Sequence, residues 1–459
     1  MDVFSIYKHL PISVQNFLCS VQGYRLDKQR YNKEYYKYYE FLLKSDSWTK
    51  EQILKYKEEQ TFKIIEYAFK HCPYYFKKFK SLGFTPSSFT GMESLIDFPI
   101  LTKEDVRKNW RGMLSDEYNV NELIPYHTSG STGKALDFYW TKRNLQYYWA
   151  VVWRGRNRFG VNKGDCHLNF TGKIVVPVTQ QKPPYWRFNK ALNQYMFNMQ
   201  HITDEKVKDI VDFLNSNDIK FWVGYPSIIN SLAVLIDEHN LEINHPPKYI
   251  FSSAEKMYEN QRSIIERIFR GTQIVEHYGF SEQAACASKC NQNVYHEDFE
   301  LGHLELKDPI KIDNGLNGIM LATGFQNEAM PFIRYEIGDT ATFSEKSCSC
   351  GLNSQVITDI EGRNGDYVIT PEGAHIMRFG YIFKRTEHIK ECQVVQKELG
   401  SMIVRIVKRN GYKEETENEL RAAIKDWISP TIRVQFEYVD EIPRTKAGKF
   451  KAVVSELIK

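Results

Sequence analysis

The feature that most constrains the fold is a regular alternation of helix-like and strand-like stretches between residues 204 and 279. The amphipathic segments "DEKVKDIVDFLNSND", "SIINSLAVLIDEHN" and "NQRSIIERIFRG" are each followed by a short apolar run, "IKFWVGYP", "KYIFSSA" or "QIVEHYG". This order is typical of an α/β fold with largely parallel strands. Ligands of such sheets gather at the carboxyl ends of the strands, so we expect "FSSAEK" and "EHYGFSE" to line a binding site.

The rest of the chain divides into segments of different character. Residues 24–80 have apolar residues at helical spacing, which predicts a helical entry segment over residues 1–80, and short β-like runs follow residue 295. We therefore predict an α/β protein whose large N-terminal domain, residues 1–361, has mostly parallel sheets and a β-rich subregion. A small mobile α+β domain follows at residues 362–459, with "EGRNGDYV" as the candidate hinge.

Composition excludes several classes of function. Lys and Arg exceed Asp and Glu by only 61 to 57 over 459 residues, a balance too weak for a nucleic-acid binder. No apolar run approaches the roughly 18 residues that a membrane span needs. The first residues also lack the pattern of a secretory signal. We therefore predict a cytoplasmic protein whose eight cysteines are thiols or metal ligands.

Six polar clusters follow one another along the chain, and their order is more specific than any one of them. The first combines glycines, hydroxyls and a lysine, which suits a phosphate cradle. It is not a P-loop, because Gly130 and Gly133 are only three residues apart and Ala135 follows Lys134. The clusters are "TSGSTGK" (128–134), "SSAEK" (252–256), "HYGFSE" (277–282), "RYEIGD" (334–339), "EGRNGD" (361–366) and "IPRTKAGK" (442–449).

This ordered set resembles the adenylate-forming superfamily of acyl-CoA synthetases, peptide-synthetase adenylation domains and luciferases. "CSCG" (348–351) and the segment from "YAFKHCPYYFKKF" to "DFPILTKEDVR" narrow the resemblance to the phenylacetate–CoA ligase branch, which includes CapK-type proteins. The resemblance covers residues 60–459.

The resemblance implies that ATP activates a carboxylic acid as an acyl-adenylate, and that coenzyme A then takes the acyl group. Two alternatives remain open: a CapK-type ligase that passes the acyl group to an amine or hydroxyl in polysaccharide biosynthesis, and a non-catalytic nucleotide-binding relative. The oligomeric state also stays open.

The resemblance assigns the nucleotide contacts. One loop would grip the β- and γ-phosphates of ATP through Thr128, Ser129, Gly130, Ser131, Thr132, Gly133 and Lys134. Two segments would hold the adenine, the first with Ser253, Ala254 and Glu255, and the second with Tyr278, Gly279 and Ser281. Asp339 would accept hydrogen bonds from the ribose hydroxyls, a role that suits a carboxylate.

The resemblance also assigns the groups that act on the reacting atoms. Glu282 would help to hold Mg²⁺, which screens the phosphates. Arg363 would lie near the ribose and phosphate. Lys449 would reach the α-phosphate and the carboxylate, where a point charge stabilises the transition state. Its rivals in the same segment are Lys446 and Lys451.

A second cluster suggests a structural zinc site, as the resemblance to the phenylacetate–CoA ligase branch implies. Zinc takes four sulfur or nitrogen ligands, and we predict that they are Cys290, His296, Cys348 and Cys350. Cys286 is the alternative to His296, and a set of plain buried thiols is the alternative to a metal.

The pocket for the acid is the least constrained part of the site. By resemblance, its wall would include His167, Phe170, Trp222 and Tyr225. Aromatic side chains suit an aryl acid, although they serve equally well as ordinary core. The sequence does not choose between an aryl acid and a hydroxylated one.

Overall fold

The computed structural model describes residues 6–127, 136–170, 174–363, 368–371, 375–376, 388–444 and 450–457. The chain forms two compact units. The first comprises Met1–Tyr24, Gly164–Glu276 and Asn364–Lys459. The second comprises Arg25–Lys163 and His277–Arg363.

The described α-helices and strands are as follows. The helices are α1 Ile12–Arg30, α2 Lys33–Ser45, α3 Lys50–His71, α4 Pro73–Ser81, α5 Lys103–Met113, α6 Lys142–Asn157, α7 Val207–Asn215, α8 Pro226–Glu238, α9 Glu259–Ile268 and α10 Glu414–Trp427. The strands are β1 Ile124–His127, β2 Asp137–Trp140, β3 His167–Phe170, β4 Trp186–Asn189, β5 Gln194–Phe197, β6 Phe221–Gly224, β7 Tyr249–Ser253, β8 Gln273–Gly279, β9 Cys286–Lys289, β10 Tyr295–Glu297, β11 Gly302–Ile312, β12 Gly315–Gly324, β13 Tyr335–Phe343, β14 Val356–Arg363, β15 Val368–Ile369, β16 His375–Ile376, β17 Ile389–Gln396, β18 Ser401–Lys408, β19 Arg433–Tyr438 and β20 Val453–Ser455.

The first unit contains the parallel strands that the alternating pattern predicts. Strands β5, β3, β6 and β7 are parallel neighbours in that order, and β4 pairs antiparallel with β5. Helices α7, α8 and α9 bury apolar faces in a core that includes Trp222 and Phe170. The carboxyl end of β7 therefore presents Ser253 and the following residues at the edge where ligands of such sheets bind.

The first unit also contains the C-terminal segment, which forms a small α+β layer. Its sheet has the order β19-β18-β17-β20, with a parallel pair at each end and an antiparallel pair in the middle. Helix α10 covers this sheet through Leu420 and Ile424, which belong to its core. The apolar stripe of the helix and the alternating residues of the strands thus bury each other.

The second unit is helical at its start and antiparallel beyond. Thr49 and Thr102 cap α3 and α5, each in a reciprocal pair of hydrogen bonds with the residue three positions on. The strands follow the order β11-β12-β13-β14-β10-β9-β8 and pair antiparallel. Tyr75, Phe98 and Tyr335 lie in its core.

The predicted α/β class, with a large sheet and a small C-terminal domain, is confirmed. The parallel strand pairs described for the large domain lie in the first unit, whereas the described strand pairs of the β-rich subregion are antiparallel. The predicted boundary between residues 361 and 362 stays a prediction, although one division between the two units falls at Arg363 and Asn364. None of the helices in the described ranges combines the length and apolarity that crossing a membrane requires.

Candidate active site

Two residues from separate motifs meet in the second unit. The hydroxyl of Tyr278, on β8, donates a hydrogen bond to Oδ2 of Asp339, on β13, at 2.7 Å. Both side chains are half-buried. Gly338, just before Asp339, has a φ of +87°, and a Cβ there would lie 2.9 Å from Nζ of Lys103. The "GD" pair therefore needs its glycine for the backbone conformation, whereas Lys103 Nζ, at the end of a flexible side chain, can move aside.

The backbone of Arg363 lies next to that of Asp339. Strands β13 and β14 place the Cα of Arg363 opposite that of Asp339. The side chain of Arg363 lies outside the described residues, so its predicted contact with the nucleotide stays a prediction.

Glu282 is a buried carboxylate, only 5% exposed. Its Oε1 accepts a hydrogen bond from the hydroxyl of Tyr335 at 2.6 Å, and no described cation forms an ion pair with it. A buried carboxylate without a cationic partner is costly, and proteins ordinarily pair such a group or use it to bind a metal. The Glu282 carboxylate is therefore the kind of ligand that a divalent cation binds. Tyr335 belongs to "RYEIGD", and its role was not predicted.

The glycine-rich stretch from Thr128 to Lys134 lies outside the described residues, and so does Lys449. The strands that flank the stretch, β1 and β2, pair antiparallel, with His127 opposite Asp137. The assignments of these residues to the phosphates and to catalysis stay predictions.

The "SSAE" segment follows β7 in the first unit. Ala254 has a φ of +70°, which turns the chain sharply after Ser253. The carboxylate of Glu255 then accepts two backbone hydrogen bonds, from the Phe450 N–H at 2.7 Å and from the Ser227 N–H at 3.2 Å. Burial raises the pKa of Glu255, and these hydrogen bonds oppose the shift.

The contact between Glu255 and Phe450 bears on the predicted catalytic lysine. Phe450 directly follows Lys449 in the sequence, and consecutive Cα atoms are about 3.8 Å apart. On the other side of the segment, Arg444 forms an ion pair with Glu391 on β17. Arg444 and Phe450, which flank residues 445–449 in the sequence, are therefore each held by a described contact.

The four predicted zinc ligands lie together in the second unit. One ligand atom from each of Cys290, His296, Cys348 and Cys350 lies within 4.8 Å of the others. Two of the pairs are Cys290 Sγ with Cys348 Sγ at 3.8 Å and Cys350 Sγ with His296 Nε2 at 3.2 Å. Cys286 is not among them, because its Sγ faces Asp298 Oδ2 at 3.5 Å.

Backbone groups complete the surroundings of the sulfur atoms. The N–H of Gln292 donates to Cys290 Sγ at 3.4 Å, and the N–H of Leu352 donates to Cys350 Sγ at 3.5 Å. Such donors favour the thiolate form, which is the form that binds a metal. Three sulfurs and one imidazole nitrogen match the donor set of a structural zinc site.

The expected wall of the acid pocket has a different place in the fold. Trp222, Phe170 and His167 are at most 5% exposed, and Phe170 and Trp222 pack against each other in the core of the first unit. Tyr225 is half-buried at the start of α8. The first three residues therefore serve as core, because the apolar surface of their strands is covered by helices.

Comparisons with known proteins agree with this fold. The family model "CapK C-terminal domain" matches residues 368–456. Protein CapK of Staphylococcus aureus is 28% identical over 457 residues, which span 98% of this chain and 99% of CapK. A phenylacetate-coenzyme A ligase of Thermus thermophilus is 22% identical over 449 residues, which span 88% and 97%.

The similarity also holds for the three-dimensional fold. The crystal structure of 2-hydroxyisobutyryl-CoA ligase in complex with 2-HIB-AMP has a TM-score of 0.70 and 17% identity. The alignment covers 90% of this chain and 91% of that chain. The resemblance to the adenylate-forming superfamily, and to its phenylacetate–CoA ligase and CapK-like branch, is thereby confirmed.

Proposed function

We propose that this chain, a homologue of CapK and the phenylacetate–CoA ligases with an adenylate-forming fold, is an AMP-forming acid–CoA ligase. It activates a carboxylic acid with ATP as an acyl-adenylate, releases pyrophosphate, and transfers the acyl group to coenzyme A. The observation that carries the proposal is the hydrogen bond between Tyr278 and Asp339 in the same unit as the buried carboxylate of Glu282.

The Tyr278–Asp339 pair suits the binding of an adenosine. The Tyr278 hydroxyl holds one carboxylate oxygen of Asp339 and so fixes the orientation of a group that accepts hydrogen bonds from ribose hydroxyls. The ring of Tyr278 offers a flat face to the adenine.

Glu282 would hold the cation that the first half-reaction requires. The carboxylate of the acid and the triphosphate of ATP repel each other, so the site must supply positive charge. Mg²⁺ held by Glu282 would screen the phosphates, and the loop from Thr128 to Lys134 would supply N–H and hydroxyl donors to them. Tyr335 keeps the Glu282 carboxylate in place.

Lys449 and Arg363 supply the remaining cations of this proposal. Lys449 contacts the α-phosphate and the attacking carboxylate, and Arg363 lies near the ribose and phosphate. The hydrogen bond from the Phe450 N–H to Glu255 supports this assignment, because it anchors the residue next to Lys449. Glu255 is then a positioning residue, acting on Lys449 through the backbone of Phe450.

A structural zinc ion accompanies this site in the proposal. Cys290 and His296 lie at the β9–β10 hairpin, whereas Cys348 and Cys350 lie in the connection between β13 and β14. A zinc ion held by all four would join two distant segments and leave no position open for water.

A second candidate function differs only in the acceptor. The similarity to CapK spans 98% of this chain at 28% identity, against 22% for the Thermus ligase. This observation favours, as the alternative, an amine or hydroxyl acceptor in capsule polysaccharide biosynthesis. A cytoplasmic location is supported in both cases by the eight cysteines, which are free thiols or the proposed metal ligands.

The test measures pyrophosphate release across a panel of carboxylic acids, with and without coenzyme A. Release with thioester formation supports the acid–CoA ligase, whereas release without thioester favours the amine or hydroxyl acceptor. No release with any acid would leave a non-catalytic nucleotide-binding protein. Asp339→Ala should abolish release, and the exposed Asp313→Asn is the matched control that should retain it.

A further inference from the structure

Helices α4 and α5 of the second unit border a groove whose lining residues have no part in the proposed nucleotide, acid or zinc contacts. The volume of the groove is about 530 Å³. This value lies within the range of sites that bind small molecules, so the groove has room for a ligand larger than a single ion. The side chains that matter for its chemistry are Tyr74, Lys77, Lys78, Lys108, Trp110 and Arg111.

Positive charge dominates this lining, which contains four cationic side chains and, among the described residues, no carboxylate. The cations are Lys77, Lys78, Lys108 and Arg111. Two carboxylates lie close by: Glu104, 3.4 Å from Nζ of Lys108, and Asp105, whose charge acts on Tyr74. Even when both carboxylates are set against the four cations, a net charge of +2 remains.

The two lysines of α4 have no partner for their charged ends. Within the described ranges, neither Nζ of Lys77 nor Nζ of Lys78 forms an ion pair or a hydrogen bond. Lys77 is exposed and Lys78 is half-buried. Both ammonium groups can therefore turn toward an anion in the groove without breaking a contact within the protein.

Arg111 is held in place by stacking. Its guanidinium lies 4.5 Å from the centre of the Trp110 ring, and none of the described carboxylates forms an ion pair with it. Trp110 in turn stacks on Tyr139, with ring centres 5.7 Å apart. A guanidinium that stacks on a ring keeps its N–H groups available for the oxygens of an anion.

The hydroxyl of Tyr74 adds a neutral donor to the lining. It has no hydrogen-bond partner among the residues that the structure describes, although Tyr74 is half-buried. Burial raises the pKa of Tyr74 to about 12, and the charge of Asp105 adds to the shift. The hydroxyl therefore keeps its proton at neutral pH and can donate it to an anion.

We propose that this groove binds a ligand that bears a phosphate group. A phosphate monoester carries a charge of about −1.5 to −2 at pH 7, which the net charge of +2 balances, whereas a carboxylate would leave half of that charge unpaired. Lysine ammonium and arginine guanidinium groups both bind phosphate oxygens well. The groove is larger than a phosphate group needs, so the phosphate is part of a larger molecule, either a free organic phosphate or a lipid headgroup.

The first experiment is a calorimetric titration of the full chain with three sugars that differ only at C6: glucose 6-phosphate, glucuronate and glucose. We expect glucose 6-phosphate to bind about tenfold more tightly than glucuronate, and glucose to show no binding. Lys77→Gln, Lys78→Gln and Arg111→Gln should each raise the Kd for glucose 6-phosphate about tenfold, because each removes a hydrogen bond to a charged group. Lys55→Gln, at an exposed position of α3, is the matched control and should leave the Kd unchanged.

A second experiment distinguishes the two sources of phosphate. Sedimentation with vesicles of equal parts phosphatidylcholine and phosphatidic acid is compared with sedimentation with phosphatidylcholine alone. Binding to the mixed vesicles that Lys77→Gln and Arg111→Gln weaken, and that glucose 6-phosphate displaces poorly, supports the site with a lipid headgroup as its ligand. Binding of glucose 6-phosphate without binding to either vesicle supports the site with a free organic phosphate.

Three results would overturn the proposal. The first is the absence of phosphate-dependent binding in both experiments. The second is an equal affinity for glucuronate and glucose 6-phosphate, and the third is an equal loss of binding in Lys55→Gln and in the groove variants, since both would indicate general attraction between charges. These measurements need no catalysis, so their outcome is independent of the pyrophosphate-release assay.

Discussion

Replacing Glu255 with glutamine tests whether the carboxylate positions the catalytic lysine. The carboxylate accepts the Phe450 N–H at 2.7 Å and the Ser227 N–H at 3.2 Å, one on each oxygen. A carboxamide has one acceptor oxygen, so its NH₂ group would face one of the two N–H donors. The lost charge-assisted hydrogen bond is worth about 2 kcal/mol, which corresponds to about 30-fold in rate when the contact is kept in the transition state.

The assay for Glu255→Gln follows each half-reaction separately. We expect kcat for adenylation, measured by acid-dependent pyrophosphate release, to fall about 30-fold while the KM for ATP stays unchanged. Thioester formation from a supplied acyl-adenylate should be unaffected, because Lys449 acts in the first half-reaction. The exposed Glu242→Gln is the control. A rise in the KM for ATP with kcat intact would refute the reasoning and would favour an adenine contact for Glu255.

Three further predictions concern the lysine, the cysteine cluster and a buried histidine. Lys449→Ala should lower the adenylation rate about 100-fold with ATP binding nearly intact, whereas Lys451→Ala should not, and equal rates would reject the assignment. Cys348→Ser should lose the zinc that metal analysis finds in the wild type and in Cys166→Ser, and full zinc content would reject the ligand set. Burial lowers the pKa of His277 from 6.5 to about 4, so its neutral ring contributes up to about 3 kcal/mol of stability that is present above pH 6.5. This stability is lost as pH falls from 6.5 to 4, so denaturant unfolding of His277→Gln should depend less on pH in that range than that of the wild type.

Local sequence patterns predicted most of the architecture. The alternation of helical and strand-like stretches from α7 to β8 predicted the parallel strands. The spacing of apolar residues in each stretch indicates whether it is a helix or a strand and which of its faces is buried. The antiparallel order from β8 to β14 was not specified in detail. Pairing there joins strands such as β10 and β14, and no local signal encodes which distant strands pair.

The candidate site shows the same division between local and distant information. Motif order located Tyr278, Asp339 and the four residues of the cysteine cluster, and each motif is a short local pattern. The hydrogen bond from the Phe450 N–H to Glu255 joins residues 195 positions apart, and neither motif predicts it. Trp222 was expected in the acid pocket but lies in the core, since an aromatic side chain suits both places.

The contact between Tyr148 and His277 was also not predicted from the sequence. His277 lies within a recognised motif, but its link to Tyr148 and Ser288 follows from the side chain pointing away from Tyr278, as alternation along β8 requires.

The most direct test of the central claim is ATP–pyrophosphate exchange without coenzyme A, measured for the wild type and for Asp339→Ala. We predict exchange that requires both a carboxylic acid and ATP in the wild type, because the adenylate forms reversibly before any acceptor is needed. We predict its loss in Asp339→Ala, where the Tyr278 hydroxyl has no carboxylate to orient. Exchange that is independent of the acid, or that persists unchanged in the variant, would contradict the account.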